Sequence, residues 1–231
     1  MSPTMPAAMA DAVLHLIHPT GRNEDDDSIL SEDEHARAQR FVFEADSTRW
    51  RSFRAGLRRI LASSLGISPQ QVPLIEGPGG KPMLGPPHAH VEFNLSHSET
   101  LAAVVVSQNG PVGIDLEPWS RAESLIECAE VFCHPEELRT LPPDTLQRAS
   151  RLLEIWTAKE AILKALGTGL TYPPEQLRIE GDRGIADTPI EHLETFRLLS
   201  PSHPDLRDYR IAVAVTHSIG KITWRDPFPC N

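Results

Sequence analysis

The sequence predicts an α+β fold: a pseudo-two-fold arrangement of two similar halves, each with a long helix packed on a small antiparallel sheet. Two observations carry this expectation. A long amphipathic segment, closed by a glycine and followed by strand-like runs, occurs around residues 47–66 and again around 145–167. The length of 231 residues with 40% apolar content suffices for one domain, or two small ones, with an ordinary core. The division falls near residue 118, giving an N-terminal half 1–118 and a C-terminal half 119–231.

Residues 1–12 are small and proline-rich and read as a loose tail, and Ala12 to His18 reads as a first strand. The run Glu24 to Asp27 reads as a solvated loop. Ser31 followed by Glu34 is a capping-box signature opening a helix through Phe43. Between Ser47 and Gly66, Trp50, Phe53, Leu57, Ile60, Leu61 and Leu65 recur at three- and four-residue spacing, with Arg51, Arg54, Arg58 and Arg59 between them. Gly66 is a natural stop. Strands are expected at Val72–Ile75, Val91–Ser96, Leu101–Ser107 and Val112–Glu117, a meander whose last two members are joined by an Asn109-Gly110 turn. Helices follow near Arg121–Phe132, Pro135–Leu141 and Thr145–Leu166. Strands at Leu177–Ile179, Phe196–Leu199, Tyr209–Thr216 and Ile222–Arg225 complete the chain.

The net charge of −10 is unevenly spread: residues 1–34 carry −7 and residues 35–100 carry +3. An acidic protein repels a polyanion, so the local basic surplus is where an anion should bind. Genomic nucleic acid, which needs a broad positive face, is not an expected partner. Cys128, Cys133 and Cys230 have no metal-ligand spacing, and their odd count fits a reducing compartment. With no apolar run of membrane length and no leader pattern, the chain is expected to be soluble and cytoplasmic.

Two segments carry chemistry. In a strand, residues two apart point the same way, so Asp115 and Glu117 share one face while Ile114 and Leu116 pack on the other. Like carboxylates so placed repel unless a cation lies between them. The helix near 145–166 offers a third acid, Glu160, beside an apolar stripe of Leu152, Ile155, Ile162 and Leu166 into which Lys159 falls. A solvated Glu160–Lys164 pair at i,i+4 is the plain alternative. Asn94-Leu95-Ser96-His97-Ser98 ends a strand with two hydroxyls flanking an imidazole, donors suited to a phosphate. Gly79-Gly80-Lys81-Pro82 is a turn carrying a lysine.

Taken in order, these segments resemble the 4'-phosphopantetheinyl transferases of the surfactin-synthetase-activating (Sfp) type. The matching run is Gly80-Lys81-Pro82, Phe93 to Ser98, Gly113 to Glu117, Trp156-x-x-Lys159-Glu160-Ala161-x-x-Lys164 and Gly167-x-Gly169-Leu170, with weaker agreement at Arg40-Phe41, Asp46-x-x-Arg49, Phe132 and Glu136. The resemblance implies transfer of the phosphopantetheine arm of coenzyme A to a serine of an apo acyl or peptidyl carrier protein, with release of 3',5'-ADP by a monomeric enzyme. It also implies that Asp115, Glu117 and Glu160 hold Mg²⁺, or Mn²⁺, on the diphosphate. By the same resemblance Lys159 and Lys164 meet the phosphates, and Ser96, His97, Lys81 and Arg49 bind the nucleotide end, helped by Arg37 and Arg40. Glu160, Glu117 and Lys164 are then the catalytic candidates, with the serine proton going to Glu160 or through water to Glu117. A metal-dependent phosphohydrolase or nuclease, and a non-catalytic coenzyme A-binding regulator, are the competing readings of the same residues.

Overall fold

Four layers are stacked in a computed structural model that describes residues 12–21, 24–98 and 100–225. The expected tail, apart from Ala12, and Cys230 lie outside the described residues. The elements of the first half are β1 (Ala12–Ile17), α1 (Glu24–Asp27), α2 (Glu32–Ala38), α3 (Glu44–Leu65), β2 (Leu74–Glu76), β3 (Pro82–Leu84), β4 (Glu92–His97), β5 (Ala102–Ser107) and β6 (Val112–Pro118). Then come α4 (Ala129–Phe132), α5 (Pro135–Arg139), α6 (Thr145–Leu166), β7 (Leu177–Glu180), β8 (Arg183–Ala186), β9 (Phe196–Leu199), β10 (Tyr209–Thr216) and β11 (Ile222–Trp224).

The layers follow from strand alternation. In β5, Ala102, Val104 and Val106 pack with Phe53, Leu57 and Ile60 of α3, while Ala103 and Val105 face the other way. In β10, Ala212 and Ala214 meet α6, whereas Ile211, Val213 and Val215 join Ala103, Val105, Leu14 and Ile114 in the central layer. The order is therefore α3, a sheet β11-β1-β5-β4, a sheet β6-β10-β9, and α6. Burying each such Val, Leu or Ile is worth about 1.5–3 kcal/mol, and both sheets present apolar residues on both faces. Each long helix ends at a left-handed glycine, Gly66 (φ 69°) or Gly167 (φ 75°), and is followed by a two-stranded hairpin, β2-β3 or β7-β8.

The expected meander is corrected. β4 and β5 pair, but β5 pairs onward with β1, and β6 pairs with β10 instead. The Asn109-Gly110 turn carries the chain from one sheet to the other, with the Ser218 hydroxyl donating to the Asn109 carbonyl at 2.9 Å. β11 returns to the first sheet and runs parallel to β1, so residues after 118 complete the sheet that residues before 118 begin.

The Glu24–Asp27 run is not a solvated loop, and α2 stops at Ala38 rather than Phe43. Asp26 is buried against Arg59, Asp27 lies 2.7 Å from Arg51, and Glu34 holds Arg54 and, at 2.7 Å, Arg58. The acidic segment is thus the counter-charge of the α3 arginines. A guanidinium in this half-buried face costs several kcal/mol unless paired, which is why the acids fold back on it. The basic surplus expected for residues 35–100 is consequently spent inside the fold at four of its arginines.

Burial raises the Glu34 carboxyl, yet hydrogen bonds from Arg58 and the Ser31 N–H, with the charge of Arg54, outweigh it and hold the pKa below the ordinary 4.5. A depressed folded-state pKa contributes stability that is complete above the unfolded value and lost as pH falls through the folded one. Glu34→Gln should cost about 3–5 kcal/mol at neutral pH by leaving two guanidiniums short of charge, and should flatten the loss of stability below pH 4.5, both read from urea denaturation across pH. A second prediction concerns Gly113, where an added Cβ would stand 2.1 Å from the Ala161 carbonyl oxygen and 2.4 Å from the Ala165 nitrogen. Gly113→Ala should lower the unfolding free energy by about 3 kcal/mol, the upper end for overpacking, because backbone rather than a side chain must move.

Candidate active site

Helix α6 lies antiparallel along β6, and that docking builds the site. Gly113, Asp115 and Glu117 occupy one face of the strand by its two-residue period. Facing them are Ala161 and Ala165, then Lys164, then Trp156, whose spacing follows the helical i,i+4 ridge. Asp144 caps α6 by accepting from the Gln147 N–H at 2.9 Å, and Gly167 ends it.

Asp115 is 3% exposed. Its Oδ1 accepts from the Lys164 ammonium at 2.6 Å and from the Ser96 hydroxyl at 2.9 Å, while its Oδ2 is buried with no hydrogen-bond partner. Glu117 accepts from the Trp156 indole at 3.1 Å and from Arg121. Glu160 lies 3.9 Å from the Lys164 ammonium. Burial raises the Glu160 carboxyl above its ordinary pKa, Lys164 opposes this, and the Asp115 and Glu117 carboxylates add to it. The three acids are therefore electrostatic neighbours.

Among the described residues no three acidic, imidazole or thiol side chains are gathered closely enough to hold a metal ion. Asp115 and Glu117 are held by separate donors, and the Lys164 ammonium lies between Asp115, at 2.6 Å, and Glu160, at 3.9 Å. The donor set nevertheless fits a hard divalent cation, since it is all carboxylate oxygen, and the unpartnered Oδ2 of Asp115 is an acceptor still to be satisfied.

The nucleotide candidates divide. Ser96 belongs to the cluster, accepting from the Lys164 ammonium at 3.3 Å. His97 packs on Phe53 with ring centroids 5.6 Å apart; burial first, then the charges of Lys164 and Arg49, depress its pKa and favour the uncharged imidazole. Arg49 pairs with Asp46 at 2.5 Å. Lys81 reaches from the β2-β3 hairpin to donate to the Lys164 carbonyl at 2.8 Å, and burial depresses its pKa against the opposing charge of Glu92. It lines a cavity of about 290 Å³ with Met83, Phe93 and Leu166. Arg37 and Arg40 are exposed, with Arg37 over the Trp50 ring at 5.7 Å. Lys159, which falls in the apolar stripe of α6, has a side chain that is 0% exposed and ion-paired with Glu137.

Asn94, Trp156 and Arg121 have structural parts that no assignment from the sequence covered. β4 and β6 are sheet edges, and they are joined by side chains: Asn94 Oδ1 accepts from the Ile114 N–H at 2.9 Å and Ser96 Oγ from the Leu116 N–H at 3.2 Å. These two acceptors flank Asp115. Their two-residue spacing on β4 is the signal a sequence reading could have used.

A second cavity, of about 510 Å³, opens beside Glu117 and is lined by Trp156, Phe132, Leu125, Val131, Leu170 and Pro174 among others. No helix of the described residues is long and apolar enough to cross a membrane.

Residues 111–214 match the family model described as the 4'-phosphopantetheinyl transferase superfamily, and residues 25–109 match that of the 4'-phosphopantetheinyl transferase N-terminal domain. The chain is 40% identical over 181 residues to the 4'-phosphopantetheinyl transferase HetI of Nostoc sp., covering 76% of this chain and 73% of that protein. It is 30% identical over 187 residues to a putative 4'-phosphopantetheinyl transferase of Synechocystis sp., covering 80% and 72%. A 4'-phosphopantetheinyl transferase of Bacillus subtilis is 25% identical over 212 residues, covering 88% and 91%. The chain belongs to the 4'-phosphopantetheinyl transferase superfamily.

Asn94→Ala should leave the Ile114 N–H buried without an acceptor and cost about 1–3 kcal/mol, measured by chemical denaturation. A cost within error of zero would mean that the two sheets hold their register without this side chain.

Proposed function

We propose that the protein transfers the 4'-phosphopantetheine arm of coenzyme A to a serine of an apo acyl or peptidyl carrier protein and releases 3',5'-ADP. We place it with the Sfp type, as a monomeric cytoplasmic enzyme whose two halves, divided near residue 118, stand in a pseudo-two-fold relation. Support for two halves in one chain comes from the two family models matching consecutive segments, 25–109 and 111–214. The observation that carries the activity is the docking of α6 on β6, which brings Lys164 to 2.6 Å from Asp115 and makes Glu160 a neighbour of both strand acids.

In this reading the serine Oγ attacks the phosphorus that bears the pantetheine arm, and the bond from that phosphorus to the oxygen of 3',5'-ADP breaks. Glu160 takes the serine proton, directly or through a water. Glu117 through water is the second candidate. Lys164 neutralises charge on the diphosphate, and Lys81, Ser96, His97 and Arg49 orient the nucleotide end. Asp115, Glu117 and Glu160 would hold Mg²⁺ or Mn²⁺, which supplies charge neutralisation for the diphosphate and the departing ADP.

Glu160→Gln should lower transfer by about 100-fold or more while leaving the fold intact, in line with loss of a general base. The measurement is mass spectrometry of an apo carrier protein incubated with enzyme, coenzyme A and Mg²⁺. Wild type should add the phosphopantetheine mass, and a wild-type enzyme that leaves every purified apo carrier unmodified would overturn the proposal.

A further inference from the structure

Lys159 and Glu137 form an ion pair of 2.6 Å whose side chains are 0% and 4% exposed. The Lys159 ammonium also donates to the carbonyl oxygens of Phe132, at 2.7 Å, and Pro174, at 3.0 Å. Those three acceptors match its three donors, so none is left for a phosphate. Glu137 is equally committed: Oε1 accepts from the Ile179 N–H and Oε2 from the His134 N–H, each at 2.8 Å. One buried pair thus ties α6 to the end of α4, to the start of α5, to β7 and to the turn before it.

The positions of these ties matter. Phe132 and Pro174 both line the 510 Å³ cavity, as do Trp156 and Arg121. Trp156 and Arg121 are the two donors that hold Glu117, and Lys159 is adjacent in sequence to Glu160. A buried ion pair adds little net stability compared with apolar residues of the same volume, so what it supplies is geometry.

We propose that Lys159 and Glu137 are positioning residues: their pair is a strut that sets the spacing of Phe132 and Pro174 across the cavity and the rotation of α6 that presents Trp156 and Glu160 to the strand acids, without contact to coenzyme A phosphate. This inference rests on the transfer reaction proposed above.

Three variants test it: Lys159→Met, Glu137→Gln and the double variant Lys159→Met with Glu137→Leu. Transfer kinetics, the thermal midpoint and the affinity for 3',5'-ADP, which carries the nucleotide phosphates but no pantetheine, are measured for each. Both single variants should lower kcat by about 10- to 100-fold, the scale of a small misplacement of reacting groups. Affinity for 3',5'-ADP should stay within about twofold of wild type in Lys159→Met. The double variant should recover the thermal midpoint lost by the singles but not kcat, a split that a purely stabilising pair would not produce.

Weakening of 3',5'-ADP binding by about tenfold or more in Lys159→Met, with Glu137→Gln unaffected, would make Lys159 a phosphate ligand and overturn the strut. A double variant with wild-type kcat would reduce the pair to a stabilising contact and overturn it as well. If the double variant does not fold, Glu137→Gln decides alone: unchanged kcat there sinks the inference. Wild type is assayed in parallel, and absence of transfer by wild type fails the proposed reaction rather than the strut.

Discussion

The close approach of α6 to β6 is the constraint on which the rest depends. Two sheets stacked through their side chains stand about 10 Å apart, but where α6 meets β6 Gly113 has no side chain, and Ala161 and Ala165 have small ones. The contact is backbone to backbone. Because Asp115 and Glu117 follow Gly113 at two-residue steps and Lys164, Glu160 and Trp156 lie on the same helical ridge, closing this contact also closes the acid cluster. Packing and chemistry share one interface, so a change to the first reaches the second without touching a charged group.

The other face of β6 is handled differently. The strand is an edge of its sheet, and its outward N–H groups at Ile114 and Leu116 are satisfied by Asn94 and Ser96 rather than by a neighbouring strand. A side-chain bridge costs a longer reach than a ladder, and it lets two sheets meet face to face while remaining linked at one rim. Asp115 is held between the two bridged amides, with Ser96 contributing to both the bridge and the carboxylate. Its position is thus determined from β4, β6 and α6 together.

Local periodicity was legible and partners were not. The bounds of α6, β9 and β10 follow from apolar spacing and punctuation, and they agree with the structure to the residue. The Asn109-Gly110 pair was a sound turn signal, but whether a turn closes a hairpin depends on which strand lies alongside, and β10, about a hundred residues away, wins β6. The Glu24–Asp27 run looked solvated because its counter-charges, Arg51 and Arg59, lie 24 and 33 residues further on. Lys159 lies in the apolar stripe of α6, and its counter-charge, Glu137, comes from α5, a segment with no fixed spacing to it. The acids of the site were legible as residues, since strand and helix periods put them on facing surfaces. Their mutual arrangement, with Lys164 among them, was not, because side-chain donors such as Arg121 and Trp156 come from segments with no fixed spacing to β6.

The distribution of lysines and arginines sharpens the electrostatic picture. A chain of net charge −10 must bring a polyanion to one place, yet four arginines of α3 are neutralised by Asp26, Asp27 and Glu34, and Lys159 by Glu137. Lys164, Lys81 and Arg49 come from different elements, and Arg49 and Lys164 are themselves paired with Asp46 and Asp115. Lys81 spends one donor on the last turn of α6, where the helix dipole is negative, and Lys164 spends its donors on Asp115 and Ser96. The two ammonium groups are linked through the Lys164 main chain, so moving the last turn of α6 would shift both at once. The end of α6, fixed by Gly167 and by the Gly113 contact, therefore sets the electrostatic floor of the cleft as well as its shape.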